Sequence, residues 1–452
     1  MLKRMAAALW GKFESTAELR KFLFLAGIFF LIIGVYWTLR PIKDSVFMSI
    51  VGKDYLPMAK VLSLCFIIPL VLLYGKLIDR FPRHYVFYGL LSAYGSLALL
   101  FFWGFSHPVI GIANTATSPM RLIGWALYVW IESFGSLIVA LFWAITADST
   151  MPESAKRGFP LISLGGQMGN IFGPLLLRAD RFGFANSAPI LGLLGLLMFA
   201  TAGLFWMLMK TTPKELMKSY GEDGGHEEEG EPGFFEGLRL LFAHWYLIGM
   251  FLITGIYEVI ITIFDNHFKQ SVGELFSSEV LRTQYLNDYA VWTGILSTAC
   301  VLFGINNIQR RFGMTASLIL TPALVTVAIF VIKMNPLAIN VAFWVMVLSK
   351  GVNYALNAPT LKQLYIPTSK NTRYKSQAWI DMFGSRGAKG GAATVNQYRG
   401  AFIKQYGLAD GLNYFWTMAL LLSFGLIGVW LFFALYVAKT YNKTMKENSI
   451  VC

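Results

Sequence analysis

Long apolar runs, separated by short polar or Gly/Pro-marked breaks, recur along the whole chain. A helix needs about 20 apolar residues to cross a bilayer, and each run is long enough for one crossing. The pattern therefore predicts twelve transmembrane helices, with bounds that are soft by several residues. They lie near residues 22–52, 55–78, 84–106, 122–147, 158–177, 187–209, 241–268, 288–308, 313–332, 336–366, 376–403 and 412–438.

The composition indicates an integral membrane protein rather than a soluble one. Of the 452 residues, 56% are hydrophobic and 14% are charged. The net charge of +13 concentrates in alternate loops, so membrane topology explains it and no nucleic-acid partner is expected. Under the positive-inside rule both termini are cytoplasmic. The five His residues lack metal-ligand spacing, and neither a metal site nor a cofactor is predicted.

A polar, acidic stretch divides the chain into two halves. Residues 210–237 are predicted to form a cytoplasmic linker, because a run of like charges is usually solvated. The segment before it, 1–209, would form an N-terminal six-helix half, and the segment after it, 238–452, a C-terminal six-helix half. Both halves have room for six of the predicted crossings.

The two halves share a pattern of residues. An offset of 221 places Asp44 on Asp265, and a slightly smaller offset superposes a glycine series of the first half on one of the second. A duplicated twelve-helix chain is typical of transporters whose substrate site lies between the repeats. The matched glycines are Gly166, Gly169 and Gly173 in the first half and Gly384, Gly387 and Gly391 in the second.

The loop after the second predicted helix, residues 75–84, resembles the signature loop of the major facilitator superfamily. The resemblance implies an all-α integral membrane fold, major-facilitator-like, with twelve transmembrane helices in two pseudo-repeated six-helix halves. It also implies that this loop latches the cytoplasmic side of the protein rather than touching substrate. The residues of this conformational latch would be Gly75, Asp79, Arg80 and Arg83.

Two cations lie inside the first apolar run. Arg40 and Lys43 are about one turn apart on one helical face, and Asp44 can neutralise only one of them. A charge near the bilayer centre costs about 2.5–3.5 kcal/mol, so it normally faces protein or a wet cavity. Two explanations remain: a structural ion pair with carboxylates on neighbouring helices, or an anion site at mid-membrane depth.

The tenth and eleventh predicted helices carry further cations. Lys350 and Lys362 lie on the tenth helix, and Arg386 and Lys389 share a face of the eleventh. A net positive cavity with glycine-lined walls suits a polyvalent phosphate compound, because guanidinium binds phosphate bidentately and ammonium binds it as a point charge. The predicted phosphate-binding residues are Arg40, Lys43, Lys350, Lys362, Arg386 and Lys389.

Further polar and aromatic residues complete the predicted site. A cytoplasmic loop and a role at the substrate entrance are equally open for the segment around Glu153. For each aromatic candidate, packing in the core is the alternative explanation. The entrance or gating residues are Asp44, Glu153, Lys156, Arg157, Lys375 and Asp381. The base-binding candidates are Phe142, Trp143 and Asn170, with Asn353 and Asn357 on the same helical face as Lys350.

Three segments, 39–44, 152–160 and 375–391, resemble the ATP/ADP translocase family of obligate intracellular bacteria and plastids. The resemblance covers most of the chain in the same order. It implies nucleotide transport across a membrane, commonly ATP in exchange for ADP, and it singles out Lys43, Glu153 and Lys389. It does not fix the coupling, because the family also includes proton-driven importers and carriers of other nucleotides or NAD.

The leading hypothesis is a monomeric transporter that exchanges ATP for ADP across a bacterial inner membrane by alternating access. The nearest alternative is a proton-coupled nucleotide importer in which one carboxylate titrates: Asp44, Glu132, Asp148 or Glu258. A facilitator for another organic anion and a membrane-embedded transferase are two further alternatives. We find neither a paired-carboxylate nor a nucleophile–base arrangement in the sequence that would indicate an enzyme.

Overall fold

The computed structural model describes residues 13, 15–217, 234–302, 306–369, 376, 379–380, 384–447 and 449–451. Some side chains within its helices, among them those of Asp79, Glu153 and Lys156, lie outside the description. The predicted gating residues Lys375 and Asp381 also lie outside it, as does most of the predicted linker. The boundaries of the linker and of the two halves therefore remain predictions.

The regular elements within these residues are helical, and twelve long helices follow the predicted spans. A ten-residue helix, Phe234–Ala243, precedes the seventh of them. The long helices are α1 (Thr16–Ile50), α2 (Leu56–Arg80), α3 (Arg83–Ser106), α4 (Leu122–Asp148), α5 (Pro152–Leu176), α6 (Ala188–Thr211), α7 (Trp245–Leu275), α8 (Glu279–Leu302), α9 (Asn306–Met334), α10 (Ile339–Gln363), α11 (Ser385–Tyr406) and α12 (Leu408–Glu447).

Nine of these helices, among the residues that the structure describes, are long and apolar enough to cross a membrane. The other three, α5, α8 and α11, have 25, 24 and 22 residues. Each of the three is long enough to cross but carries polar or charged turns. Because such turns are stable in a membrane only against protein or water, these three helices are expected to line a polar interior.

Two of the polar helices begin before their predicted starts. The segment after residue 151, predicted to be a loop, forms the first turns of α5, since Pro152 occupies a first-turn position where no backbone N–H is needed. Helix α8 begins at Glu279 rather than near 288. Its first turns contain Arg282, and both charged residues are buried with polar partners. A hydropathy criterion leaves charged helical turns outside a predicted membrane helix. Polar partners on neighbouring elements nevertheless make these turns stable within the helix.

The structure divides into two compact units. The first contains α1, α3, α4, α5 and α6, with residues 65–80 of α2 and 279–291 of α8. Within it, α1 packs against α4, α5 and α6, and α3 packs against α4 and α6. Helix α1 is therefore the central element of this unit, and its apolar side chains supply much of the core.

The second unit contains α7, α9, α10, α11 and α12, with residues 56–64 of α2 and 292–302 of α8. Within it, α7 packs against α10, α11 and α12, and α9 packs against α10 and α12. Each of these helix pairs corresponds to a pair in the first unit, with six added to both helix numbers. The packing order thus repeats together with the sequence pattern.

The glycines of α5 allow an unusually close approach to α1. A Cβ atom added at any of three positions, each four residues from the next, would lie within 3.0 Å of a backbone oxygen of α1. Small residues with this spacing let membrane helices pack backbone to backbone. The three glycines are Gly165, Gly169 and Gly173, opposite Ala26, Phe30 and Gly34.

The matched glycines of α11 have different surroundings. A Cβ atom added at Gly387 or Gly391 would meet no heavy atom of the described residues within 4 Å. At Gly384, the nearest atom would be a side-chain carbon of Phe251, 3.3 Å away. Glycine is therefore required for tight packing in the first unit, whereas in the second it leaves space beside the helix.

Candidate functional site

Lys43 lies within α1 and is buried despite its charge, with only 3% of its surface exposed. Its ammonium group donates a hydrogen bond to Glu132 of α4 and lies 3.7 Å from Asp44. The same group is 4.2 Å from the centre of the Tyr128 ring. Two carboxylates and an aromatic face compensate for the lost water. A substrate anion would have to compete with Glu132 for this cation.

Arg40 lies beside Lys43 and is partly exposed. Its guanidinium carbon is 4.7 Å from the Trp37 ring centre and 5.7 Å from that of Tyr36. Stacking on aromatic faces holds a guanidinium in place without consuming all its hydrogen-bond donors. Arg40 is also close enough to act electrostatically on Lys43. Together with Asp44 and Glu132, these two cations form a group of four without net formal charge.

The one predicted entrance residue of α5 whose side chain is described, Arg157, is tied to the start of α1. It donates a hydrogen bond of 3.0 Å to Glu18, which is only 2% exposed. One turn along α1, Lys21 is buried and donates to the backbone oxygens of Ser149 and Leu216. These contacts fasten α1 to the α4–α5 connection and to the segment that follows α6.

The predicted latch lies where α2 ends and α3 begins. Arg83 donates a hydrogen bond to Asp148 at the end of α4, and both side chains are largely exposed. Arg80 lies over the Phe81 ring, 5.8 Å from its centre. A Cβ atom added at Gly75 would meet no described atom within 4 Å. An exposed ion pair contributes at most about 1 kcal/mol, as a reversible latch requires.

The predicted base-binding residues of the first unit are in different surroundings. Phe142 is buried and stacks on Phe29 with 4.8 Å between ring centres, and Trp143 packs edge-on against the same ring. Aromatic packing accounts for both. Asn170 is also buried, and its Oδ1 accepts no hydrogen bond from the residues that the structure describes.

In the second unit, the predicted cations of α10 and α11 adjoin a cavity of about 260 Å³. Lys362 lines this cavity, and so does Glu258 of α7. Lys389 lies 3.5 Å from the Glu258 carboxylate, which therefore connects it to the cavity wall. Arg386 follows Ser385, another lining residue, and is half-buried.

The second unit also contains a charged cluster that the sequence analysis missed. Asp265, the repeat counterpart of Asp44, lies 2.9 Å from the ammonium groups of both Lys60 and Lys269. Lys350 of α10 acts on the same carboxylate electrostatically. Both missed lysines carried a signal. Lys60 interrupts an apolar run, as Arg40 does, and Lys269 lies one helical turn after a carboxylate marked by the repeat.

The amides of α10 face each other, as their spacing predicts. Asn357 donates a hydrogen bond of 2.8 Å from Nδ2 to Asn353 Oδ1, and both residues line the cavity. The backbone between them forms a π-turn, in which the Ala358 N–H bonds to the Asn353 oxygen. Pro359 explains the turn, because its ring would clash with the carbonyl of Ala355 in a regular α-helix. Turns of this kind are frequent at functional sites.

A buried ion pair joins α7 to α11. Arg399, 1% exposed, donates two hydrogen bonds of 3.0 and 3.1 Å to the Glu274 carboxylate and a third to Gln270. His267 accepts a weaker contact from the same guanidinium at 3.4 Å. The planar, bidentate geometry is one that lysine could not reproduce. The carboxylate and amide of α7 that already bind this guanidinium indicate a structural role.

A second arginine lies between α5 and α6. Arg178 forms a bidentate pair with Asp180 and a hydrogen bond of 2.6 Å to Asp288 of α8. Burial lowers the pKa of Arg178, but these hydrogen bonds and charges more than offset it, so the pKa lies above its ordinary value. The arginine is therefore charged at every physiological pH and fastens the first part of α8 to the first unit.

The predicted phosphate-binding residues thus fall into two groups. Arg40 and Lys43 adjoin Glu132 in the first unit, whereas Lys350, Lys362, Arg386 and Lys389 are in the second. The convergence of both groups on one phosphate chain remains a prediction. Charged, partly compensated residues within membrane helices are typical of a substrate pathway rather than of a catalytic centre.

The arrangement of these helices is similar to that of solved membrane transporters. A bacterial homologue of the iron transporter ferroportin has a TM-score of 0.62 at 13% identity, covering 92% of this chain and 100% of that one. A bacterial homologue of the lysosomal transporter Spinster has a TM-score of 0.61 at 14% identity, covering 95% and 99%. These similarities confirm the predicted fold class.

The chain belongs to the TLC ATP/ADP transporter family, whose model matches residues 1–441. It is 24% identical over 481 residues to ADP,ATP carrier protein 1 of Rickettsia typhi, covering 95% of each chain. It is 25% identical over 470 residues to ADP,ATP carrier protein 1 of Chlamydia muridarum, covering 92% of this chain and 87% of that one. The expected family, and a transporter rather than an enzyme, are confirmed.

Proposed function

We propose that this chain exchanges ATP for ADP across a membrane by alternating access, with its intramembrane cations holding the phosphates. The buried Lys43 is the observation that carries the proposal. A lysine placed inside a membrane helix and balanced by a carboxylate of another helix can release that carboxylate when a stronger anion arrives. Its similarity to ADP,ATP carrier proteins supports a nucleotide as that anion.

The second unit supplies most of the positive charge. Lys350, Lys362, Arg386 and Lys389 are the proposed phosphate contacts there, and Lys389 lies 3.5 Å from the Glu258 carboxylate. A polyphosphate needs several cations, because each ammonium or guanidinium group offsets about one charge. Glu132 and Glu258 would then pair with these cations while no nucleotide is bound.

One observation favours proton coupling as a second candidate. Glu132 bonds the buried Lys43 but keeps 33% of its own side chain exposed. A carboxylate that touches both solvent and a substrate-binding cation can exchange a proton when the substrate displaces it. In that case each nucleotide would enter with a proton rather than against a second nucleotide.

Uptake into proteoliposomes tests the proposal and separates the two candidates. The purified chain is reconstituted into vesicles that contain ADP, ATP or buffer alone, and labelled ATP is added outside. Exchange predicts rapid uptake only with internal nucleotide, and protein-free vesicles give the background. Rapid uptake into buffer-filled vesicles, accelerated by an inward proton gradient, would establish the importer instead. Failure of every nucleotide to move would refute both.

We also propose that the chain works as a monomer in a bacterial inner membrane with both termini in the cytoplasm. The distribution of basic loop residues supports this orientation. Cysteine-reactive, membrane-impermeant reagents test it in intact cells, using the native Cys452 in a Cys65→Ser, Cys300→Ser variant. Labelling without permeabilisation would contradict a cytoplasmic C-terminus. The mass of the detergent-purified protein, measured by light scattering, tests the monomer.

A further inference from the structure

A cavity lies between α7, α10 and the first turn of α11 in the second unit. Its volume of about 260 Å³ lies just below the range of about 300–1,000 Å³ that is usual for whole small-molecule pockets. It is therefore suited to one part of a nucleotide rather than to all of it. Lys362 and the carboxylate of Glu258 in its wall place it beside cations already assigned to the phosphates.

An unsatisfied amide oxygen lines this cavity. Asn357 is only 1% exposed, and its Oδ1 accepts no hydrogen bond from the part of the chain that the structure describes. Burying such an oxygen without a donor is unfavourable, so a ligand donor is expected there. The Asn357 amide nitrogen is already committed to Asn353 Oδ1. The Asn353 nitrogen then remains as a donor beside the free acceptor.

Two tyrosines contribute aromatic rings to the wall of the same cavity. Tyr257 and Tyr365 both line it, and both are at least 95% buried. Aromatic faces bind a heterocyclic base by stacking, whatever the base. The amide pair is the part of the wall that can distinguish one base from another, because it presents one acceptor next to one donor.

Adenine matches this pair along one edge. Its N6 amino group is a donor next to the N7 acceptor, and asparagine amides read this edge bidentately, whereas guanine presents the acceptors O6 and N7. We propose that the cavity receives the base of the transported nucleotide and selects adenine, with Asn357 Oδ1 accepting from N6 and Asn353 Nδ2 donating to N7. This inference rests on the proposed function, since it names the part of the nucleotide that binds here.

Exchange assays with altered bases test each contact separately. Labelled ATP enters ADP-loaded proteoliposomes in competition with unlabelled ATP, inosine triphosphate, which lacks the N6 donor, or 7-deaza-ATP, which lacks N7. Wild-type protein should prefer ATP to each analogue by roughly tenfold. Asn357→Leu should lose the preference over inosine triphosphate, and Asn353→Leu should lose the preference over 7-deaza-ATP. Asn340→Leu, at an exposed position early in the same helix, should keep both preferences.

A labelling experiment on wild-type protein tests the same site if the variants fail to fold. Wild-type protein is irradiated with 8-azido-ATP, whose azide is next to N7, and the labelled peptide is identified by mass spectrometry. The inference predicts label within residues 353–365 that excess ATP removes and inorganic triphosphate removes only in part. Label elsewhere, or unchanged preferences in folded variants, would overturn the base site while leaving exchange intact. If wild-type protein exchanges no adenine nucleotide, both the base site and the proposed function are refuted.

Discussion

Lys43 illustrates how a single buried charge can serve both stability and transport. With Glu132 and Asp44 as partners it is compensated, so the empty protein need not expose an isolated cation to the membrane. The same compensation makes the site selective for strong anions, because a weak one would not displace a carboxylate held at contact distance. Lys389 and Glu258 repeat this arrangement in the second unit.

Replacing Lys43 separates these two roles. Lys43→Ala should reduce exchange by roughly tenfold to 150-fold, since a charge-assisted contact to a buried anion contributes about 1.5–3 kcal/mol. The rate is measured as labelled ATP uptake into ADP-loaded proteoliposomes. The double variant Lys43→Ala, Glu132→Ala is the control. If it recovers the wild-type rate, Lys43 acts only by neutralising Glu132, and the phosphate contact is excluded.

Two arginine pairs of contrasting burial predict effects of different size on stability. Arg399→Ala should lower the free energy of unfolding by about 1.5–3 kcal/mol, because it removes a buried guanidinium that donates charge-assisted hydrogen bonds to the partly exposed Glu274 carboxylate. Arg83→Ala removes a largely exposed partner of Asp148 and should cost at most about 1 kcal/mol. Thermal unfolding in detergent measures both. Equal losses would show that burial of the α7–α11 pair has no energetic consequence.

Helix packing distinguishes the two repeats more than their sequences do. In the first unit, the glycines of α5 meet backbone atoms of α1, and a single added methyl group has no space. In the second, a Cβ atom added at the matched Gly387 or Gly391 would meet no described atom within 4 Å, whereas one added at Gly384 would lie 3.3 Å from Phe251. Among the described residues, the α1–α5 contact is therefore the more closely packed of the two.

Equivalent substitutions at matched positions test this difference. Gly173→Ala forces a Cβ atom into the backbone of Gly34, and overpacking of this kind costs about 1–3 kcal/mol. Gly391→Ala meets no described atom within 4 Å and gains helix propensity, so its unfolding temperature should be unchanged or slightly raised. Both variants are unfolded thermally in the same detergent. A larger loss at Gly391 would mean that α11 is the tightly packed helix.

In the complete carrier, the number of charges that move sets the response to voltage. ATP carries about one more negative charge than ADP, and one uncompensated charge is worth roughly 2.3 kcal/mol per 100 mV. Cations of the protein that cross the field with both nucleotides do not cancel this difference. The direction of net exchange should therefore follow the membrane potential.

Uptake of external ATP against internal ADP should be faster with an inside-positive potential than with an inside-negative one. Potassium gradients with valinomycin set the potential in proteoliposomes, and labelled ATP reports the rate. ATP-for-ATP exchange in the same vesicles is the matched control and should not respond, because no net charge moves. An identical response of both exchanges would contradict net charge transfer and point to a voltage-sensitive step of the protein itself.

The sequence by itself determined the number and order of the helices and the duplicated pattern, and it singled out Arg40, Lys43 and Lys389 as candidates. These follow from local physics. An apolar run of sufficient length forms a membrane crossing, and a charged residue within it is costly unless it faces protein or water. The glycines of α5 also follow a local rule, because every fourth residue lies on one helical face and small residues there favour close packing.

Only the tertiary structure decided which side chains meet. The pairing of Lys43 with Glu132, of Asp265 with Lys60 and of Arg399 with Glu274 joins residues far apart in the chain. Hydropathy placed the start of α8 too late, since it cannot register the partners that allow Glu279 to be buried. The repeat matched the glycines of α5 and α11, but only packing against different neighbours made one set indispensable and left space beside the other.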